Sequence, residues 1–266
     1  MSSTRPPAVA GSFYPADPAL LAATLDRLLA DAGTPSGLPP KVLIVPHAGY
    51  IYSGSSAARA YALLAPLRRQ IHRVVLLGPT HRVAVNGLAL PESGFFATPL
   101  GNIEIDQEAV ADLQHLPQVL ASERVHAQEH SLEVHLPFLQ RTLADFKLLP
   151  LAVGNAAPEA VAEVLDILWG DPETLIVIST DLSHFLPYAA AQLSDGATCR
   201  QILDFTSAIR PEQACGAFPL NGLLLTARQR GLQPELLDLC NSGDTAGDRN
   251  RVVGYAAFAL REAGHV

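Results

Sequence analysis

"TLIVISTDLSHF", residues 174–185, is the stretch whose reading decides the fold. Its first half is a short unbroken apolar run, the mark of a strand buried on both faces, and polar side chains begin abruptly at Ser179. A strand of this kind belongs to a parallel or mixed sheet covered by helices. The residues beyond its carboxyl end stand where open α/β sheets bind their ligands. Here that segment carries Asp181 and His184, three residues apart.

Outward from this run the same design repeats. "KVLIVP" (41–46) and "RVVLLG" (73–78) are buried strands, and "VNGLALP" (85–91) is a third with a bulge at Gly87. "KLLPLAV" (147–153) is a strand weakened by Pro150, and "PELLDLCN" (234–241) and "RVVGYAAFAL" (251–260) complete the set. Between them lie helical periods. "DPALLAATLDRLLADAG" (17–33) has Asp17 as N-cap, Pro18 behind it and Gly33 as its stop, before a Pro/Gly-rich loop over 34–40. Further helices are expected over 53–67, 105–121, 129–143 around Pro137, 158–170, 189–208 and 219–230. Strand alternating with helix predicts an α/β sandwich with a central mixed or parallel sheet flanked by helices. No compositional break or internal repeat divides the chain, so one domain is expected over 1–266.

Composition narrows the function. Of 266 residues 48% are hydrophobic and 17% charged, which suits a packed core. The net charge is −8 with no run of Lys or Arg, so nucleic acid is excluded as an expected partner, because phosphate binding needs clustered cations. Apolar runs end well short of the ~18 residues a membrane helix needs, and "MSSTRPPAVAGSFYPAD" (1–17) lacks the apolar stretch of a secretory signal, so neither is expected. Three cysteines, Cys199, Cys215 and Cys240, fit a reducing cytoplasm with free thiols or a metal ligand better than a disulfide framework.

Four predicted strands deliver metal-binding or proton-transferring side chains at their carboxyl ends: His47 in "PHAGY", His81 in "PTH", Asp181 with His184, and Cys240. Singly, each has a plain structural reading. A loop histidine usually bonds backbone, and a cysteine closing an apolar run is usually a small core residue. Recurrence at one edge favours a shared site. His47, His81 and Cys240 are matched as metal ligands that leave a position open for water or substrate. Asp181 and His184 would orient a ligand or move a proton beside them.

A second group lies in "HAQEHSLEVHLPF" (126–138). His130 and Glu133, at i and i+3, would share a helix face started by Ser131, either as substrate contacts or as a hydrogen-bonded wall. Tyr50 and Tyr52 either line the cleft or pack on the sheet edge. Cys199 and Cys215 read as structural.

"RPPAVAGSFYP", "PHAGYIYSG", "LLGPTH", "EHSLEVHLPFLQ", "STDLSHF", "ACGAFPLNGLL" and "NSGDTAGDRNRVVGYAA" occur in this order over nearly the whole chain. In this the sequence resembles the Memo-like family, whose prokaryotic members are called AmmeMemoRadiSam system protein B. The resemblance implies a fold similar to class III extradiol dioxygenases, non-haem iron enzymes that cleave catechol rings. It implies that His47 and His81 match their two histidine ligands, that Cys240 falls where they carry glutamate, and that His184 matches their acid/base histidine, with Asp181 in the T-D-x-S-H pattern. It further implies Fe(II), with copper or zinc as alternatives, an unknown small-molecule substrate, and AMMECR-like and radical-SAM protein partners. One departure is Ala217, where the family usually has an arginine able to bind an anion.

Three functions remain as expectations. The first is a metal-dependent oxidoreductase of dioxygenase type. The others are a zinc-dependent hydrolase and a non-enzymatic binding module that keeps the cleft for recognition.

Overall fold

The computed structural model of the chain describes residues 3–33 and 37–262. The first part of the expected 34–40 loop therefore lies outside the described residues. In chain order the elements are β1 (Thr4–Arg5), α1 (Pro18–Asp31), β2 (Val42–Val45), α2 (Tyr50–Tyr61), β3 (Arg73–Pro79), β4 (Leu88–Leu90), β5 (Phe95–Thr98) and β6 (Gly101–Glu104). Next come α3 (Gln107–Leu113), β7 (Val119–Ala121), α4 (Glu123–His126), α5 (Leu136–Thr142), β8 (Lys147–Val153), α6 (Pro158–Leu168) and β9 (Thr174–Ser179). The last elements are β10 (His184–Leu186), α7 (Tyr188–Leu203), α8 (Ala217–Gln229), β11 (Gln233–Asn241) and β12 (Val252–Arg261).

The buried apolar runs build a nine-stranded mixed sheet in the order β10-β12-β2-β9-β3-β8-β4-β7, with β11 on the other side of β12. Its centre, β2-β9-β3-β8, is parallel, and β12 and β4 join antiparallel on either side. Every residue of β2 and β9 is buried, as strands covered on both faces require. Helices α1, α2 and α5 pack together, with α2 on β2 and β12, while α8 lies on β3 and β9 and carries α6. This is the mixed, helix-flanked sheet that the sequence predicts.

Local rules explain most boundaries. Asp17 caps α1 by accepting from Leu20 N–H at 2.8 Å, and Gly33 leaves the helix at φ +85°. Pro150 stands within β8, beyond the reach of β4, which pairs only with Ala152 and Val153.

Three expectations change. The 105–121 region is not one helix: α3 ends at Leu113, Pro117 prevents continuation, and Val119–Ala121 pairs in parallel with β4. The hairpin β5-β6, joined by β1 in a separate three-stranded sheet, was not anticipated. In 129–143 regular helix begins only at Leu136, after a 3₁₀ turn over Glu133–His135. Pro137 sits in the first turn of α5, where its missing N–H costs nothing.

Candidate metal centre

The register of the parallel strands decides where the site lies. Val45 of β2 pairs with Ser179 of β9, and Leu77 of β3 pairs with Ile178. The three strands thus stop side by side, and the residues just past them meet: His47 after β2, Asp181 after β9, His81 after β3. His130 arrives from the segment before α5. Gly78 admits that segment, since a Cβ there would lie 2.9 Å from Leu132 Cδ2 and 3.0 Å from Ser131 Oγ. Ser131 Oγ then donates to the Pro79 carbonyl at 2.7 Å and fixes the approach.

One ligand nitrogen from each of His47, His81 and His130 lies within 4.8 Å of the other two. The His81 and His130 rings stack at 4.6 Å, and His47 meets them edge-on at 5.2 and 5.4 Å. His47 is buried and His81 is exposed, so the cluster opens to solvent on one side.

Hydrogen bonds set the proton positions. Ser179 Oγ donates its only hydrogen to the Ser131 carbonyl at 2.7 Å. Toward His47 Nδ1, 2.6 Å away, it can therefore only accept. Neutral His47 thus carries its proton on Nδ1, and Nε2 keeps a bare lone pair. Glu129 performs the same task for His81: its carboxylate accepts from His81 Nδ1 at 2.9 Å, from the His81 backbone N–H, and from the N–H groups of His130 (2.9 Å) and Ser131 (3.0 Å). Burial opposes ionisation of Glu129, but these bonds and the His81 charge outweigh it and hold the carboxyl at about 2. A buried carboxylate behind a ligating imidazole fixes its tautomer and raises its basicity.

Burial, then the neighbouring imidazoles, pushes His47 well below its usual range. Burial and the His81 charge bring His130 down to about 4. Both are neutral at physiological pH, the form that binds metal.

Asp181 and His184 complete the surroundings. Asp181 Oδ1 accepts from His47 N–H at 2.8 Å, and Oδ2 stands 4.0 Å from His47 Nε2. Burial raises its carboxyl to about 7, against the opposing His47 hydrogen bond. His184 opens β10, half-buried, with burial lowering its affinity for a proton and its charge felt at His47.

The thiol at the centre is Cys215, not Cys240. Cys215 Sγ lies 3.4 Å from His47 Nε2 and accepts from Asp181 N–H at 3.3 Å. Burial pushes this thiol up to about 12. Cys240 is not in the histidine cluster. It sits in β11 opposite Tyr255, with Asp238, Ser56 and Asp244 around its thiol, and burial raises it to about 12. The reason is strand order. β11 does point its carboxyl end at the correct edge, but β12 separates it from β2, a displacement of about two strand spacings, on the order of 10 Å.

Two other assignments change for physical reasons. Glu133 turns away from His130 because no helix joins them. It is fully buried and accepts from Arg5 (2.7 Å), Ala8 N–H (2.7 Å), Val9 N–H (3.0 Å) and Tyr14 Oη (2.5 Å), tying the N-terminal segment to the core. Tyr50 donates to the Val134 carbonyl at 2.9 Å and packs on Phe138, which makes it a structural side chain. Ala217, buried at the start of α8, brings no charge. Glu129 and Ser179 were passed over as orienting groups. The readable signal was Glu129 beside His130 in "QEH", and Ser179 as the first polar residue after a buried run.

These features define a class: a mixed α/β sandwich with a candidate three-histidine metal centre at the carboxyl ends of its parallel strands. The family model described as Memo-like protein matches residues 5–259, and the chain belongs to that family. It is 34% identical to a MEMO1 family protein of Sulfolobus acidocaldarius, covering 94% of this chain and 97% of that one. It is 36% identical to a MEMO1 family protein of Aquifex aeolicus, again over 94% and 97%. The crystal structure of an uncharacterized protein of Escherichia coli K12 shares the fold, at a TM-score of 0.51 and 14% identity over 82% of this chain and 98% of that one. Among the described residues no helix is long and apolar enough to cross a membrane.

Proposed function

We propose that this chain is a metal-dependent oxidoreductase of dioxygenase type that uses Fe(II) at His47, His81 and His130. The observation that carries this reading is the orientation of the imidazoles: Ser179 and Glu129 each bind the Nδ1 side of a histidine and free its Nε2. Imidazole nitrogens converging from one open side fit a divalent first-row metal. Iron bound there would supply the ability to bring dioxygen and an electron-rich substrate together. The chain's own residues do the rest. His184, neutral and half-buried, takes a proton from the substrate hydroxyl. Asp181, holding its proton up to about 7, returns one.

A second reading is zinc-dependent hydrolysis. Among the described residues the cluster groups three imidazoles and no carboxylate, which favours it, because three imidazoles and a water suit catalytic zinc. Anaerobic reconstitution with Fe(II) or Zn(II), elemental analysis, and parallel assays of oxygen uptake with catechols and of ester hydrolysis separate the two. Stoichiometric iron with oxygen uptake supports the first reading. Zinc-dependent hydrolysis without oxygen uptake overturns it.

A further inference from the structure

His184 lies in a turn whose backbone is strained. The next residue, Phe185, adopts φ +61°, an outlier for a bulky side chain, and the β10-β12 register slips between His184 and Leu186. A conformation of this kind persists only where its surroundings over-determine it. On one side β12 holds the turn: the Gly254 carbonyl accepts from Leu182 N–H at 2.8 Å, and Gly254 N–H donates to the Ser183 carbonyl at 2.9 Å. On the other side a single side chain of α7 holds it, Asp195, whose Oδ1 accepts from Ser183 N–H at 3.0 Å.

Asp195 is buried in the middle of α7. Burial raises its carboxyl, and only the hydrogen bonds of Ser183 oppose that; no neighbouring cation does. Cys199, one turn further along the helix, feels the Asp195 charge and is itself buried. A carboxylate kept in the interior without a partner cation is unfavourable, and packing alone would be served by an apolar side chain. Gly254 makes the room for it. A Cβ at that position would overlap Asp195 Oδ2 and lie 2.5 Å from its Cγ, so any larger residue would push the carboxyl away from Ser183. Two unfavourable features, a strained turn and an uncompensated buried carboxyl, thus meet one residue away from His184.

We propose that Asp195 is the positioning residue for His184: by taking the Ser183 N–H against Gly254 it locks the strained turn and keeps the His184 imidazole beside the histidine cluster. The charge of His184 is felt at His47, and that of His81 at His184. The ring itself is hydrogen-bonded to the Leu182 backbone, which Gly254 fixes. This rests on the reading of His184 as a proton-transfer group and adds the residue that holds it there. Asp195 acts through the loop and not on the reacting atoms.

The test is nitrogen NMR of the His184 ring, in its neutral form, on the metal-free protein. Metal content and urea denaturation are measured alongside. The wild-type chain should show one tautomer, with two well-separated ring nitrogen signals, because a fixed bond to the backbone selects it. In Asp195→Ala the two signals should draw together toward the tautomer average. The His47 signals and the metal stoichiometry should stay as in the wild type, since Ser179 and Glu129 orient those ligands. Asp195→Asn keeps an oxygen that can accept from Ser183 N–H and should restore the separated signals. Gly254→Ala displaces the carboxyl without removing it. It should reproduce the effect of Asp195→Ala, and it decides the question where that variant does not fold. Leu165→Ala, in the buried face of α6, should lower stability and leave the His184 signals untouched. Unchanged His184 signals in folded Asp195→Ala or Gly254→Ala, failure of Asp195→Asn to restore them, or the same collapse in Leu165→Ala overturns the proposal. A metal-loaded protein without turnover would refute the proton-transfer reading instead, since the position of His184 is read on the metal-free chain.

Discussion

Glu129 accepts hydrogen bonds from both Nδ1 and the backbone N–H of His81, so a single buried carboxylate fixes the ring and the loop that carries it. Glu129→Gln keeps the shape but removes the charge and turns an amide donor toward groups that are themselves donors. Metal affinity should fall by about 10–100-fold, with the circular dichroism spectrum unchanged. Competition titration against a chelator measures it, and undiminished affinity would deny Glu129 this role.

Ser179 decides the tautomer of His47 through its bond to the Ser131 carbonyl. In Ser179→Ala the imidazole loses its Nδ1 acceptor, and nitrogen NMR of the metal-free protein should show a mixture of tautomers. The wild-type chain should show His47 protonated at Nδ1 alone. A dominant Nε2–H form in the wild type contradicts the assignment.

Cys240→Ala should leave metal stoichiometry and affinity unaltered, because its thiol lies beside Ser56 and Asp238 rather than in the histidine cluster. His47→Ala should abolish binding. Loss of metal in Cys240→Ala would return the ligand role to that cysteine.

Two histidines outside the cluster predict acid sensitivity. Burial lowers His126 to about 4 and His135 to about 3. Each lies below its unfolded value of about 6.5, so between those limits the unfolded chain binds more protons. Their stabilising contribution is complete above about pH 6.5 and is lost as pH falls through the folded values, to on the order of 3 kcal/mol each. Urea denaturation between pH 7.5 and pH 4.5 should show this decline, and His126→Gln should make it shallower. A pH-independent midpoint across that window would exclude the effect.

Arg5 and Glu133 form a buried pair at 2.7 Å with almost no solvent exposure on either side chain. Glu133→Ala strands the Arg5 charge and three further donors, and should cost about 3–5 kcal/mol in urea denaturation. Substrate-probe affinity per folded molecule should not change. A loss of probe affinity without a loss of stability would restore Glu133 to the site.

How much of this was legible in the sequence differs between backbone and site. The buried runs at 42–45, 73–79 and 174–179, and the cap at Asp17, follow from local hydrophobic pattern and capping chemistry, and they appear where expected. The 119–121 strand and the 95–104 hairpin did not show, because three- and four-residue strands carry too little periodicity to stand out from loops. His47, His81, Asp181 and His184 were found by their place after strands. His130 was found too, but for a helix face that does not exist at that point.

The sequence by itself determined that this is an α/β chain with reactive side chains gathered at strand carboxyl ends, because burial and periodicity are local properties. Only the tertiary structure decided which of those ends touch. On paper Cys240, closing a predicted strand, is the better ligand, and Cys215 reads as structural. β12 stands between Cys240 and His47, while the turn into α8 lays Cys215 against His47 Nε2. Strand order is a long-range outcome of how the whole sheet assembles, and no window of residues around either cysteine contains it.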